Sequence, residues 1–325
     1  STAKDMSAKS YAFEAGRKAV AAHLERVGLR GEVSIQKYNG SYRTRYEISG
    51  NPLVSIIIPN KDHIDDLSRC VNSIFSKGGW DNIEVIVVEN NSEDKRTFDY
   101  YDKITAENPK VKIVYYKGNF NFSAICNFGF ESARGEHILL LNNDVEFISD
   151  GFIKEMLSYS QRKDVGAVGA KLYYPDGTIQ HAGVIIGING SAGHSHKGLQ
   201  GDTTGDMYRL VTTQNYMAVT GACLMTKAEL YRKHPLDEEN FAVAYNDIDF
   251  CLKLYEDGYL NVFTPYSEAY HYESKSRGLD ETDKPNPRYE REKKNFQDRW
   301  GKYFNYHDPY YNPHFTLLYE NYGYK

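Results

Sequence analysis

No apolar run in this chain approaches the ~20 residues needed to cross a bilayer. Runs such as Ile138 to Leu141 are only strand-sized, so no transmembrane segment is expected. The first residues are polar and lack the apolar stretch of a secretory leader, so no signal peptide is expected either. The chain opens on Ser1 where a Met would stand, which points to a piece of something longer. Positive charge is not in excess: the formal net charge is −5, which argues against a polyanion such as nucleic acid as partner. Cysteine is scarce. Cys70, Cys126, Cys223 and Cys251 are widely spaced within apolar-periodic stretches, with neither a zinc spacing nor a disulfide framework. They read as reduced, buried thiols of a cytosolic protein. No internal repeat or low-complexity tract occurs.

What is present is ordinary globular material, 41% hydrophobic and 26% charged over 325 residues, enough for a sizeable core. Tyrosine is abundant at 28 residues, many of them towards the C-terminus. Aromatic faces suit sugar stacking, and tyrosine-rich packing accounts for them equally well. Residues 7–27 predict an amphipathic helix with Phe13, Val20, Leu24 and Val27 on one stripe. A hairpin over 32–37 and 42–48 should turn at Asn39-Gly40. This mildly basic region carries no evident chemistry and reads as a linker or docking element.

The character changes at Asn51-Pro52. An apolar run at Leu53–Ile58 predicts a strand buried on both faces, and further strands are expected at Ile83–Val88, Val111–Tyr116 and Ile138–Leu141. Helical patterns alternate with them, one capped near Asn121. Such alternation demands a mostly parallel sheet with helices on both faces, in which ligands sit at the carboxyl ends of the strands. After about residue 165 the rhythm breaks into strand-like pieces at 165–172, 178–188 and 218–226 around a Gly- and His-rich loop near 189–206. A helix from Asn246 to Gly258, strands at 260–263 and 268–272, a charged loop and a helix at 287–300 complete the pattern. This gives three expected parts: an extension over 1–50, a catalytic domain over 51–280, and a C-terminal helix and Tyr-rich tail over 281–325.

Three groups can carry chemistry. Asp144, in Asn142-Asn143-Asp144, stands at the mouth of a buried strand, where a carboxylate could hold a hard cation against a diphosphate; it could equally cap a turn. Asp247 and Asp249 open a helix. Residues i and i+2 do not share a helix face, so one should face the cleft and the other bond locally. A first-turn acid can also simply complement the helix dipole, whereas an Asp near an acceptor hydroxyl is the base that an inverting transfer needs. His271, in a strand, is either a packed imidazole or a metal ligand. His181, His194 and His196 form a separate group without the carboxylate or Cys that would complete a zinc site. Their Gly-rich setting fits a donor or acceptor loop, and the glycines match no dinucleotide or P-loop spacing.

In order and spacing these pieces resemble the glycosyltransferase family 2 enzymes with their GT-A fold, over about residues 52–275. The resemblance rests first on Val54-Ser55-Ile56-Ile57-Ile58-Pro59-Asn60 and Val85-Ile86-Val87-Val88-Glu89-Asn90-Asn91-Ser92. It implies nucleotide contacts at Pro59, Lys61, Glu89 and Asn91, with Asn121, Ser123 and Asn127 flanking the base. Asn142-Asn143-Asp144 stands where the family has its DxD motif, implying Asp144 as metal ligand and Asn143 as ribose contact. The two Asn residues depart from the acidic pattern. Asn246-Asp247 matches the acidic pair before the catalytic helix, with Asp247 as base and Asn246 replacing the usual acid. His271, 24 residues beyond Asp247, matches the histidine that completes the metal site in galactofuranosyl-type members. Gly221 and Ala222 resemble the turn beside the donor sugar.

Tyr245, Asn246 and His196 are further expected donor or acceptor contacts, and Lys275 and Arg277 belong to a loop expected to close over the pyrophosphate. The similarity is nearest to bacterial rhamnosyl- and O-antigen-type enzymes, which often form one module of longer chains. It implies an inverting transfer from a UDP- or dTDP-sugar to a glycan or lipid-linked glycan, with Mn²⁺ or Mg²⁺ as cofactor. It also implies a cytoplasmic location, at most peripheral to the inner face of the membrane, with other transferase domains or a second copy as partners. Two rivals stand beside it. A nucleotidyltransferase should carry a glycine-rich loop after the first strand, which Pro59-Asn60-Lys61-Asp62 lacks. A non-catalytic sugar-nucleotide-binding or scaffolding module is favoured by the Asn-for-acid replacements and disfavoured by the joint presence of Asp144, Asp247 and His271.

Overall fold

The computed structural model describes residues 10–38, 40–272 and 286–325. Helix α1 (Ser10–Arg26) leads into an antiparallel hairpin of β1 (Gly31–Ile35) and β2 (Tyr42–Tyr46). The expected turn residue Asn39 lies outside the described residues. The region after residue 50 then alternates as its apolar runs require: β3 (Val54–Asn60), α2 (Ile64–Lys77), β4 (Ile83–Glu89), α3 (Lys95–Glu107), β5 (Val111–Tyr115), α4 (Phe122–Glu131) and β6 (His137–Leu141). Strands β3, β4 and β6 are buried almost throughout. Successive residues serve opposite layers: Ile57 joins the core that includes Ile125 of α4, while Ile56 and Ile58 join the core that includes Leu67 and Val71 of α2.

Next come β7 (Val145–Phe147), α5 (Phe152–Ser160), β8 (Val165–Tyr173), β9 (Ile179–His181), β10 (Val184–Ile186), β11 (Ala192–His194), β12 (Gln214–Tyr216), β13 (Cys223–Lys227), α6 (Ala228–Lys233), α7 (Asn246–Glu256), β14 (Leu260–His271) and α8 (Pro287–Trp300). The main sheet runs β12-β14-β8-β13-β6-β3-β4-β5, with β7 on β14 and β9 on β8. The expected parallel character holds across β6-β3-β4-β5. Beyond β6 the sheet becomes mixed, because β13 enters antiparallel to both β6 and β8 while β14 lies parallel to β8. Two strands expected over 260–272 are one, β14, interrupted by a register shift between Thr264 and Glu268. The single strand expected over 178–188 is two, separated by Gly183 at φ +102°, a backbone state open mainly to glycine.

The N-terminal extension is fastened to α5. Arg43 bonds the buried carboxylate of Glu155 at 2.6 Å and stacks on Tyr266, while Tyr159 Oη donates to the Thr44 carbonyl. All four cysteines are buried free thiols. Among the described residues no helix is long and apolar enough to cross a membrane.

Candidate active site

The parallel strands β3, β4 and β6 end on one edge of the sheet, and the chain places polar residues at each end. Glu89 closes β4. It is buried and accepts from Ser92 Oγ at 2.6 Å and from Tyr101 Oη at 2.7 Å, so it braces the corner from within. Asn60 closes β3, donating to Tyr101 Oη at 2.7 Å and accepting from Asn143 Nδ2 at 2.6 Å. This links the ends of β3 and β6. Pro59, Lys61 and Asn91 line the same corner, Lys61 and Asn91 exposed. Asn91 adopts φ +60° and donates to the Gly118 carbonyl.

Asp144 and His271 meet at the far side of this edge. Strand β7 pairs with β14 so that Val145 faces His271, and the Tyr272 amide donates to the Asp144 carbonyl. His271 Nε2 lies 3.1 Å from Asp144 Oδ1, and both side chains are buried. His271 Nδ1 contacts Gln180 Oε1 at 2.7 Å, which puts a ring proton on Nδ1 and directs Nε2 at the carboxylate. The Asn142 amide also reaches Nε2 at 3.1 Å, and Asn142 Oδ1 is buried without a hydrogen bond. A carboxylate oxygen and an imidazole nitrogen at one point form a donor pair that suits a divalent cation. Among the described residues no group of three His, Cys, Asp or Glu side chains converges as a metal site. This fits an open site, completed by ligand oxygens, better than a closed structural one.

Asp247 lies across a two-residue bridge from that turn. Its Oδ2 accepts from the Gly221 amide at 2.6 Å and its Oδ1 from the Ile248 amide at 2.8 Å, while the next residue, Ala222, accepts from the Asn142 amide at 3.0 Å. A Cβ on Gly221 would stand 3.1 Å from Asp247 Cβ, which is why the bridge needs a glycine there. Asp247 is half-buried. Packing strips its carboxylate of water and raises its pKa above the usual range, against the opposing pull of the Gly221 and Ile248 amides and the Thr220 hydroxyl. A carboxylate so placed is a stronger base than one in water, and enough of it stays open to meet a hydroxyl.

Asp249, two residues on, is wholly buried. It bonds Arg299 at 2.8 Å, Trp300 Nε1 at 2.9 Å and Lys253 at 2.7 Å, tying α7 to α8. The two acids thus take the separate directions that their spacing predicts.

Other expected contacts go elsewhere. The Tyr245 hydroxyl meets Ser191 Oγ at 2.9 Å and Tyr289 Oη at 3.0 Å, and its ring stacks on Phe296. Tyr245 anchors the start of α7 in a left-handed conformation, φ +64°, worth roughly 1 kcal/mol of strain or more. Asn246 is buried, its amide on the Val243 carbonyl. His196 is 1% exposed, bonded to Ser195 Oγ and the Asp206 amide and stacked on Tyr322. In all three the side chain makes hydrogen bonds inside the fold. Asn121, Ser123 and Asn127 hold the 236–242 segment by its carbonyls at Glu238, Phe241 and Leu236. Lys275 and Arg277 lie outside the described residues. Sequence reasoning missed Gln180 as the partner of His271, since nothing around a Gln in a short strand marks a contact 91 residues away.

An α/β domain whose strand-end edge gathers a carboxylate, an imidazole and a second, half-buried carboxylate has the make-up of an enzyme acting on a nucleotide-linked substrate. The chain belongs to glycosyl transferase family 2, whose model matches residues 55–234, and it is a glycosyltransferase. It is similar to an uncharacterized protein of Sinorhizobium fredii, y4gI, 44% identical over 98% of this chain and 35% of that protein. It is also similar to the O-antigen biosynthesis protein RfbC of Myxococcus xanthus, 35% identical over 94% of this chain and 24% of that one. The chain therefore spans about a third and a quarter of the length of these relatives.

Among solved structures, GalNAc-T7 with UDP, GalNAc and Mn²⁺ superposes with a TM-score of 0.58 at 13% identity, over 81% of this chain and 53% of that one. The mannosyltransferase PcManGT from Pyrobaculum calidifontis, in complex with GDP-Man and Mn²⁺, gives 0.52 at 15% identity, over 82% and 67%. These likenesses bear out the expected GT-A architecture.

Proposed function

We propose that this chain transfers a sugar, with inversion, from a UDP- or dTDP-linked donor to a hydroxyl of a bacterial cell-surface glycan, on the cytoplasmic side of the membrane. The observation that carries the reading is the 3.1 Å approach of His271 Nε2 to Asp144 Oδ1, with the ring oriented by Gln180. In this reading Asp144 and His271 hold Mn²⁺ or Mg²⁺, with Asn142 beside them. Such an ion, when bound, offsets charge on the leaving diphosphate.

The chain's own groups do the rest. Pro59, Lys61, Glu89, Asn91 and Asn143 form the nucleotide corner. Asp247 takes the proton of the acceptor hydroxyl as that oxygen attacks the anomeric carbon from the face opposite the nucleotide. Gly221 holds the carboxylate in place through its amide. The mixed company of the fold, with Mn²⁺ and a nucleotide or nucleotide sugar in both GalNAc-T7 and PcManGT, supports a divalent ion and a nucleotide-diphosphate donor here. The likeness to RfbC supports a polysaccharide acceptor.

The test is nucleotide release from UDP-, dTDP- and GDP-sugars with Mn²⁺, alone and with cell-envelope glycans. Release from one donor, abolished by EDTA and by Asp247→Asn, is the expected result. Release that survives both would overturn the assignment of these residues. Failure to bind any sugar nucleotide in calorimetry would favour a non-catalytic module.

A further inference from the structure

His181 and His194 form a buried pair that the mechanism above does not use. Their Nδ1 atoms are 2.8 Å apart, so one proton lies between two nitrogens. Its position is decided at the other end of His181. There Nε2 faces two backbone amides, Gly183 at 3.2 Å and Thr220 at 3.4 Å. Both are donors, so Nε2 must be the acceptor. His181 then carries its proton on Nδ1 and donates it to His194 Nδ1. By elimination His194 carries its proton on Nε2. A second proton on His194 would set N–H against N–H across 2.8 Å, and one on His181 would point at the Gly183 and Thr220 amides. Burial and neighbouring charge agree with this, holding His194 far below its ordinary pKa, at about 3, and His181 well below the usual value. The pair thus maintains a neutral imidazole with a fixed N–H. Among the described residues nothing takes a hydrogen bond from that Nε2–H, and the His194 ring is only partly buried.

The location of this donor is informative. His181 bonds the amide of Thr220, whose neighbour Gly221 holds the base Asp247. It follows Gln180, which orients His271. The pair is therefore bracketed by the base on one side and the metal-directed imidazole on the other. In an inverting displacement the transferred sugar occupies that interval, with acceptor and base at one end and diphosphate at the other. Strand β11, which carries His194, is held from behind: the His194 amide donates to Glu320 Oε1 at 2.7 Å, and the His196 amide to the Glu320 carbonyl at 2.7 Å. The side chain is fixed in place before any ligand arrives.

We propose that His194 reads the sugar of the donor, its Nε2–H donating to a hydroxyl of the transferred residue, with His181 as the positioning residue that fixes the tautomer. This assignment rests on the transferase reading above. It places sugar selection on a contact separate from the nucleotide corner and the cation-directed pair. It also moves the functional histidine of the His194-Ser195-His196 run from the third residue to the first.

Two substitutions separate this role from packing. Asparagine reaches only the Nδ1 position, so His194→Asn keeps a partner for His181 and loses the outward donor. Glutamine reaches the Nε2 position, so His194→Gln restores a donor there. The probes are the UDP-, dTDP- and GDP-sugars and the corresponding nucleoside diphosphates, with Mn²⁺, in turnover and calorimetry, alongside melting curves. For the sugar nucleotide that wild type uses, His194→Asn should lower kcat/KM about tenfold, the scale of one lost hydrogen bond. Affinity for the bare diphosphate should stay within about twofold, and His194→Gln should recover most of the loss.

Equal activity of wild type and His194→Asn overturns the assignment. So does a parallel loss of diphosphate affinity, or a His194→Gln variant as weak as His194→Asn. If wild type itself neither binds nor turns over any sugar nucleotide, the transferase reading falls, and this assignment falls with it.

Discussion

Replacing Asp247 and Asp249 with Asn, one at a time, should damage two different properties. Asp249 is wholly buried between Arg299, Trp300 and Lys253. Breaking a buried charge pair costs about 3–5 kcal/mol when a partner is stranded. Here the lower figure applies, because Arg299 keeps Asp237 at 2.9 Å and is itself a third exposed, while Asn can still accept from Trp300. At roughly 2 °C per kcal/mol for a chain of this size, Asp249→Asn should melt about 6 °C below wild type. Its turnover per folded molecule should be little changed.

Asp247→Asn should do the reverse. Its raised pKa means that the ionised form is disfavoured in the folded state. The stability linked to it is present below the unfolded pKa and lost as pH rises through the folded one, so at neutral pH the charge is a burden that Asn removes. Asn can accept from only one of the Gly221 and Ile248 amides, which offsets the relief of the buried charge, so the melting point should stay within about 2 °C of wild type while turnover falls by roughly 10²–10⁴-fold. Scanning calorimetry and nucleotide release on the same preparations decide the matter. A several-degree loss for Asp247→Asn, or an unchanged melting point for Asp249→Asn, would refute the division of labour.

The acidic limb of the kcat/KM profile should lie above the usual aspartate range, since Asp247 must be ionised to accept a proton and burial raises its pKa; a limb at the ordinary value would argue for a different base. Asp144→Ala and His271→Ala should each abolish the Mn²⁺-dependent part of UDP or dTDP binding in calorimetry while leaving the melting transition cooperative. Arg43→Ala should cost about 3 kcal/mol or more in denaturant unfolding, because it strands the buried Glu155 carboxylate with the Thr264 hydroxyl alone. Adding Glu155→Gln to Arg43→Ala should recover much of that loss.

The nucleotide half of the fold was legible because a strand buried on both faces leaves a mostly apolar run, and Val54–Ile58 and Ile83–Val88 are such runs, each broken by one polar residue, Ser55 and Glu84. The edge where a ligand sits follows from topology, so residues just past those runs stood out. The divergence of Asp247 and Asp249 followed from helix geometry alone. The antiparallel insertion of β13 was not legible, since a short apolar segment such as Cys223–Lys227 does not reveal its direction. Nor was the use of Asn121, Ser123 and Asn127 on the carbonyls of 236–242, contacts made across more than a hundred residues. Nor was the cover that the C-terminal Tyr322 gives His196, since a histidine among glycines resembles a mobile loop. The N-terminal extension read as a possible linker because its anchoring partner, Glu155, lies 112 residues further on.

The short β7–β14 ladder has a consequence for how this enzyme comes into being. Asp144 and His271 are brought together by backbone pairing between Val145 and His271, not by a search of flexible side chains. Their separation is therefore fixed as soon as β14 docks, and β14 is among the last strands in the chain. In the proposed reading, a growing or partly unfolded polypeptide, however well its nucleotide half has formed, would offer a cation and a diphosphate only half a site. Ligand binding would then stabilise the finished domain and nothing earlier, so donor and metal together would act as a late seal on folding.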